Sequence, residues 1–294
     1  MNKLYSNKLA IFLFAFPTLL LFTAFVVYPL FPEIVISFQN NDGFKNMGYV
    51  GAANYLNVLR DGAFWKSNQN TLIIVLISTC AGLPISLILA LIMDRQTDSV
   101  KRFFKASSVL PAVLSVTVIA QMWVAIYEPQ WGLINNLLRA VGLDKIALAW
   151  LSDERTVVAA IAAAFLWQYL GLNALLFYTG IQTIPKTYYE AAVIDGAGFI
   201  RTSMRITIPL LREVTKYLLV ISVLGCMSQF AHVRIMTGGG PGDVSRTVIY
   251  QLFFKAFSAS DFGQGCAIAI LFVLECLVLT FLINRFVARE KIEF

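Results

Sequence analysis

Six stretches of this chain are apolar for about as long as a helix needs to cross a bilayer, roughly 20 residues. They cover residues 9–31, 70–93, 109–127, 156–181, 214–233 and 264–284. In water such blocks would have to bury one another completely. A chain with 58% hydrophobic and only 14% charged residues lacks the polar surface for that, since soluble domains run near 45–50% apolar and about 25% charged. No run shows the ten-residue alternation of a spanning β-barrel, so the expected architecture is an all-α membrane protein, a six-transmembrane-helix bundle forming a single domain over residues 1–294.

The first block has Lys3 and Lys8 before it, as a signal peptide would. Its apolar stretch is too long for one and ends without a small-x-small cleavage site, so it reads as a retained helix. Six spans put both termini on one side. With the termini inside, fourteen Lys and Arg face inward and nine outward, among them Arg95, Lys101, Arg102 and Lys105 in one inner loop. The positive-inside rule therefore predicts cytoplasmic termini for a multi-pass protein of a cell membrane. The net charge of +6 follows from this placement and does not indicate nucleic acid. The outer loops, 39–69, 128–155 and 234–263, are long enough to have structure of their own. They carry Tyr49, Trp65, Trp131 and a Gly238–Gly242 run interrupted by Pro241.

Catalytic and metal chemistry have little to draw on. The chain has one histidine, His232, read as a residue of the outer rim, and no phosphate-binding loop with its lysine. The four cysteines at 80, 226, 266 and 276 all lie in apolar blocks and read as small packing residues. No metal site and no cofactor are expected. Glu275 stands in the middle of the last block, where a carboxylate costs about 2.5–3.5 kcal/mol on insertion scales. An interhelical hydrogen bond is its expected role.

Residues 185–209, between the fourth and fifth blocks, are the most informative inner segment. Thr187 after Pro185 predicts an N-cap, with Glu190 three residues on completing a capping box. Gly196 and Gly198 predict the end of a short helix, and a second short helix follows from Phe199 to Pro209. Two helices this short are not stable alone in water and need a surface to pack on. The spacing Glu190-Ala191-Ala192, three residues, Gly196, nine residues, Ile206-x-Ile208-Pro209 resembles the signature loop of binding-protein-dependent ABC importer permeases. Ile208 stands where leucine is usual. The likeness extends through 50–55, Leu110-Pro111-Ala112, Trp123, 132–135 and the Thr237–Pro241 segment, and looks like the carbohydrate-uptake branch. The long extra domain of the maltose permease is absent.

The resemblance implies the type I ABC importer permease fold and a coupling helix, formed by Glu190, Ala191, Ala192, Asp195, Gly196, Ala197 and Gly198, that docks on an ATPase. It also implies the partners: a second permease as a heterodimer, a dimer of ATPases that use the ATP, an extracytoplasmic solute-binding protein and the lipid bilayer. The expected function is ATP-driven import of a sugar or oligosaccharide. A polyol, a glycerol phosphate or a secondary transport mechanism are the alternatives. Polar residues within the fourth and fifth blocks are candidates to face a solute path: Gln168, Tyr169 and Leu172 on one, and Ser222, Cys226 and Gln229 as a single stripe on the other. The matching positions of the maltose permease line its sugar pocket. Of these residues only Ser222 keeps the type found there.

Overall fold

The computed structural model describes residues 8–287, with side chains from 12 to 285. Four of the fourteen inward charges counted above, Lys3, Lys8, Arg289 and Lys291, lie outside the described side chains. In chain order the elements are α1 (Phe12–Ser37), β1 (Gln39–Asn41), β2 (Asn46–Tyr49), α2 (Ala53–Arg60), α3 (Gly62–Asp94), α4 (Asp98–Val113), α5 (Val116–Ile126), α6 (Leu133–Ala140), α7 (Val157–Thr183), α8 (Lys186–Ile194), α9 (Phe199–Thr202), α10 (Arg212–Met227), α11 (Ala231–Met236), α12 (Val248–Ser258) and α13 (Phe262–Arg285). The chain is mostly helical, and α1, α3, α7 and α13 are each long and apolar enough to cross a membrane. It is a multi-pass membrane protein.

Two expected spans take a different form. The third is not straight: α4 and α5 meet at a 96° bend and qualify as a span only as a pair. Ser115 makes the turn by capping α5, its hydroxyl accepting from the Thr117 N–H at 3.3 Å. The fifth stops early, because α10 ends at Met227 and residues 228–230 are not helical before α11 begins.

Proline shapes three of the helices. Pro29, Pro84 and Pro209 are each the second residue after a wide-wound π turn, at Thr23–Val27, Ser78–Gly82 and Ser203–Thr207. A proline ring collides with the carbonyl four residues back and leaves it without a donor. The wide turn moves that carbonyl aside, and the helix continues.

Internal contacts divide the chain into two units, residues 1–61 with 252–273 and residues 62–251 with 274–294. In the first, β1 and β2 form an antiparallel hairpin pairing Gln39 with Tyr49 and Asn41 with Asn46. The Asp42 carboxylate closes its turn by accepting from the Phe44 and Lys45 amides at 2.8 and 2.7 Å. These bonds hold the Asp42 pKa below its ordinary value. Asn54 of α2 donates to the carbonyls of Ser37 and Gln39, both at 2.9 Å. The apolar surface of α1 is exposed along its length.

In the second unit α7 is the axis, packed by α3, α4, α5, α10 and α11. Small residues set the approach. A Cβ on Gly171 would strike the Ser108 carbonyl and come within 2.8 Å of Ser108 Cα. Ser86 of α3 donates to the Leu170 carbonyl at 3.0 Å. Close helix contacts at small residues and polar bonds between helices are the ordinary glue of membrane bundles. A buried cluster of Leu83, Met93, Phe177, Ile181, Leu211 and Leu218 joins α3, α7 and α10. Asn70 of α3 fastens the segment after the glycine run at 238–242 by donating to the carbonyls of Val244 and Arg246 at 2.6 and 2.9 Å.

Candidate functional site

Two features of the second unit carry the candidate chemistry. The first is a cleft of about 430 Å³ between α3, α7 and α10. From α7 it takes Phe165, Tyr169, Leu172, Asn173 and Leu176, which recur at the spacing of one helical stripe. From the wide turn of α3 it takes Ser78 and Gly82, and from α10 and its end Ile221, Ser222, Gly225, Ser228 and Gln229. Its volume falls within the roughly 300–1,000 Å³ usual for small-molecule sites. None of the residues lining it is charged.

Of the six residues proposed from sequence, the structure brings four together at this cleft: Tyr169, Leu172, Ser222 and Gln229. Gln168 and Cys226 are buried and do not line it. Consecutive helical residues point about 100° apart, so Gln168 turns away from the cleft where Tyr169 faces it. Gln168 Oε1 is buried with no hydrogen-bond partner among the described residues. The expected stripe through Ser222, Cys226 and Gln229 on one helix does not form, since Gln229 lies beyond the end of α10; the helical face at the cleft is Ser222 and Gly225. Asn173 was missed, although it sits four residues after Tyr169 on the same face. Ser78 could not be reached by periodicity, because a π turn shifts the register.

Gln229 is held on three sides. Its Nε2 donates to the Gly225 carbonyl at 3.3 Å, its Oε1 meets His232 Nδ1 at 2.9 Å, and its backbone carbonyl accepts from the Thr247 hydroxyl. His232 is not a rim residue: it is 1% exposed, with its ring edge-on to Phe165 at 5.8 Å. Glu275 lies opposite Asn68 of α3. Glu275 Oε2 and Asn68 Nδ2 are both buried, and the Asn68 amide is the polar side chain that the Glu275 carboxylate meets.

The second feature is the hairpin of α8 and α9. α8 starts at Lys186, after Pro185, without a side-chain cap, so Thr187 lies inside the helix and the expected capping box is absent. Its C-terminus follows the sequence expectation. Gly196 has φ +67°, its amide donates to the Val193 carbonyl at 3.0 Å, and the Ala197 amide reaches the Ala192 carbonyl at 2.8 Å. This is the Schellman pattern. Gly198 begins α9 instead of ending α8.

Ala191, Ala192, Asp195 and Ala197 line a groove of about 520 Å³ together with Arg201 and Arg205, and Glu190 is exposed beside it. Val193, Ile194, Ile200 and Met204 are all more than 60% exposed. The hairpin is tied to its own unit by Tyr189, whose hydroxyl meets Thr207 Oγ1 at 3.3 Å, and by Arg95, stacked 3.8 Å over the Phe199 ring. Burial, the main cause, raises the Tyr189 phenol above its ordinary pKa; the Thr207 bond opposes this and Asp94 adds to it.

A many-helix membrane protein with an uncharged cleft of polar and apolar side chains and an exposed apolar hairpin has the parts that a transport permease needs. Residues 82–291 match the family described as binding-protein-dependent transport system inner membrane component, and the chain belongs to that family. It is similar to the probable ABC transporter permease protein YurN of Bacillus subtilis (strain 168), 34% identical over 98% of this chain and 99% of that one. It is also similar to the arabinooligosaccharides transport system permease protein AraP of the same organism, 30% identical over 94% and 88%. In fold it matches a chain of the bacterial alginate ABC transporter in complex with alginate pentasaccharide-bound periplasmic protein. That match has a TM-score of 0.81, with 21% identity over 95% of this chain and 93% of that one.

Proposed function

We propose that this chain is one of two permeases in an ATP-driven importer and that its cleft passes a neutral sugar or oligosaccharide. The observation that carries the choice of solute is the lining of the cleft. It offers one phenol, two amides and three serine hydroxyls beside apolar surface, and no cation. Sugars present hydroxyls and apolar ring faces that such a wall can match. A glycerol phosphate would enter without a positive charge to receive it, at the full cost of desolvating an unpaired anion. The relative AraP, an arabinooligosaccharide permease by name, supports the same class.

In this reading the chain makes six crossings with both termini in the cytoplasm, α4 with α5 forming the third and α10 the fifth. The α8–α9 hairpin is the coupling element, and Glu190, Ala191, Ala192, Asp195, Gly196, Ala197 and Gly198 meet a groove on a separate ATPase, which binds and hydrolyses the ATP. The exposed Val193, Ile194, Ile200 and Met204 support this role, because apolar side chains in so small a hairpin call for a protein cover. A solute-binding protein outside the cell membrane delivers the sugar to the outer loops. Closure of the ATPases moves the hairpin, α10 follows, and the cleft changes the side to which it opens.

The test is uptake by the complete importer in liposomes, supplied with a ¹⁴C-labelled panel of maltose, cellobiose and α-1,5-arabinobiose. Leu172→Trp should block the cleft and abolish ATP-dependent uptake while the ATPases still co-purify. Unchanged uptake by that variant would remove the cleft from the path. Uptake by the chain alone without ATP would replace the importer with a secondary transporter.

A further inference from the structure

We propose that His232 is a positioning residue: it fixes the Gln229 side-chain amide so that the cleft presents an N–H donor there and reads an acceptor oxygen of the solute. The inference rests on the assignment of the cleft to solute passage.

A backbone carbonyl only accepts, so the Gln229 atom facing that of Gly225 at 3.3 Å is the amide nitrogen. That fixes the orientation of the amide and turns Oε1 toward His232 Nδ1 at 2.9 Å. An amide oxygen only accepts, so Nδ1 carries the proton. The other ring nitrogen, Nε2, is buried and has no partner among the described residues. An imidazolium would leave a charged N–H unpaired there, so the ring is the neutral Nδ1–H tautomer. Phe165, edge-on at 5.8 Å, holds the ring plane. The Thr247 hydroxyl, donating to the Gln229 carbonyl, holds the backbone.

The polar capacity of Gln229 is then nearly used. Its oxygen is taken by His232 and one amide hydrogen by Gly225. One N–H remains on Nε2, at a residue that lines the cleft. Ser228, also on the lining, donates its hydroxyl proton to the Leu224 carbonyl at 2.9 Å and has only lone pairs left to offer. The end of the cleft beyond α10 is thus a donor next to an acceptor. It suits a sugar that places a ring, glycosidic or acyl oxygen against Gln229 and a hydroxyl against Ser228. Without His232 the amide could rotate and present either atom, and the distinction would be lost.

Two measurements test this. His232 is the only histidine of the chain, so ¹⁵N-histidine NMR of the detergent-solubilised importer carrying a labelled chain reports on it alone. The wild type should show protonated Nδ1 and unprotonated Nε2, and Gln229→Leu should release the ring to the Nε2–H form. A wild-type ring protonated at Nε2, alone or with Nδ1, overturns the assignment. In liposomes, His232→Asn keeps an N–H at the Nδ1 position and should hold the KM for ¹⁴C-maltose, cellobiose or α-1,5-arabinobiose within about threefold of wild type. His232→Phe keeps the ring but not the donor and should raise it about tenfold, the size of one neutral hydrogen bond. The ATPases should co-purify with both variants. Equal KM values for His232→Phe and wild type, with Tyr169→Ala impaired, would overturn the role of His232 and leave the cleft standing. If Tyr169→Ala is also unimpaired, the cleft reading falls and this inference falls with it.

Discussion

Gly171 and Gly225 both lie on helices of the second unit, one at a backbone contact and one at the cleft wall, and alanine should have opposite effects at the two. At Gly171 an added Cβ would strike the Ser108 carbonyl and stand 2.8 Å from Ser108 Cα. Carbon atoms pack at about 3.5–4.0 Å, so α4 and α7 must part by roughly 0.7 Å or more. The obstructing atoms belong to backbone and cannot rotate aside. Overpacking of this kind costs about 1–3 kcal/mol. At about 2–4 °C per kcal/mol for chains of this order, Gly171→Ala should melt about 2–12 °C below wild type. At Gly225 the nearest atom to an added Cβ is Phe165 Cζ at 3.7 Å, an ordinary contact. There alanine only removes the conformational freedom of glycine in a helix, worth roughly 0.5–1 kcal/mol, and the variant should melt at or slightly above wild type. The assay is thermal unfolding of the detergent-solubilised importer, followed by the near-ultraviolet signal or by a thiol probe of the buried Cys226. If Gly171→Ala melts with wild type, or Gly225→Ala falls as far, the reasoning from close backbone approach is refuted.

Two further outcomes follow from the hairpins. Gly196→Ala places a side chain at φ +67°, which costs about 1–2 kcal/mol; uptake should fall while ATP hydrolysis continues, and Gly196→Asn should restore most of it, as read by the ratio of sugar moved to ATP hydrolysed. At Asp42 the folded pKa is lowered, so the turn it closes is fully held above the ordinary carboxylate value near 4 and is lost only as pH falls through the lower folded value. Hydrogen exchange at the Phe44 and Lys45 amides should therefore show excess opening only in that acidic range, and Asp42→Asn should remove the pH dependence.

The parts of the fold legible in the sequence are those fixed by local composition. The apolar runs behind α1, α3, α7 and α13 are continuous, and the left-handed glycine at 196 is needed wherever that turn occurs. What periodicity could not reach depends on distant partners or on a broken register. The end of α10 is set by residues 228–230, where Gln229 is held by Thr247, eighteen positions along the chain. The bend at Ser115 falls four residues past Pro111, so the proline gave no warning of it. Tyr169 and Leu172 were found at the cleft because one unbroken helix carries them. Ser78 was not, because its turn holds one residue more than an α turn does.

Gly180 of α7 is where α10 is pinned. A Cβ there would come within 2.9 Å of both Leu211, just before that helix, and Val214 in its first turn. Toward the other end one face, at Ser222 and Gly225, borders the cleft, while Val223, Cys226 and Met227 are buried. Gly180 is thus a fulcrum for α10, with the hairpin on one side of it and the cleft wall on the other. The sixteen residues of α10 make an arm of about 24 Å, so a tilt of about 5° at the fulcrum sweeps the tip through about 2 Å. A sweep of that size is more than the range of distance over which a hydrogen bond holds.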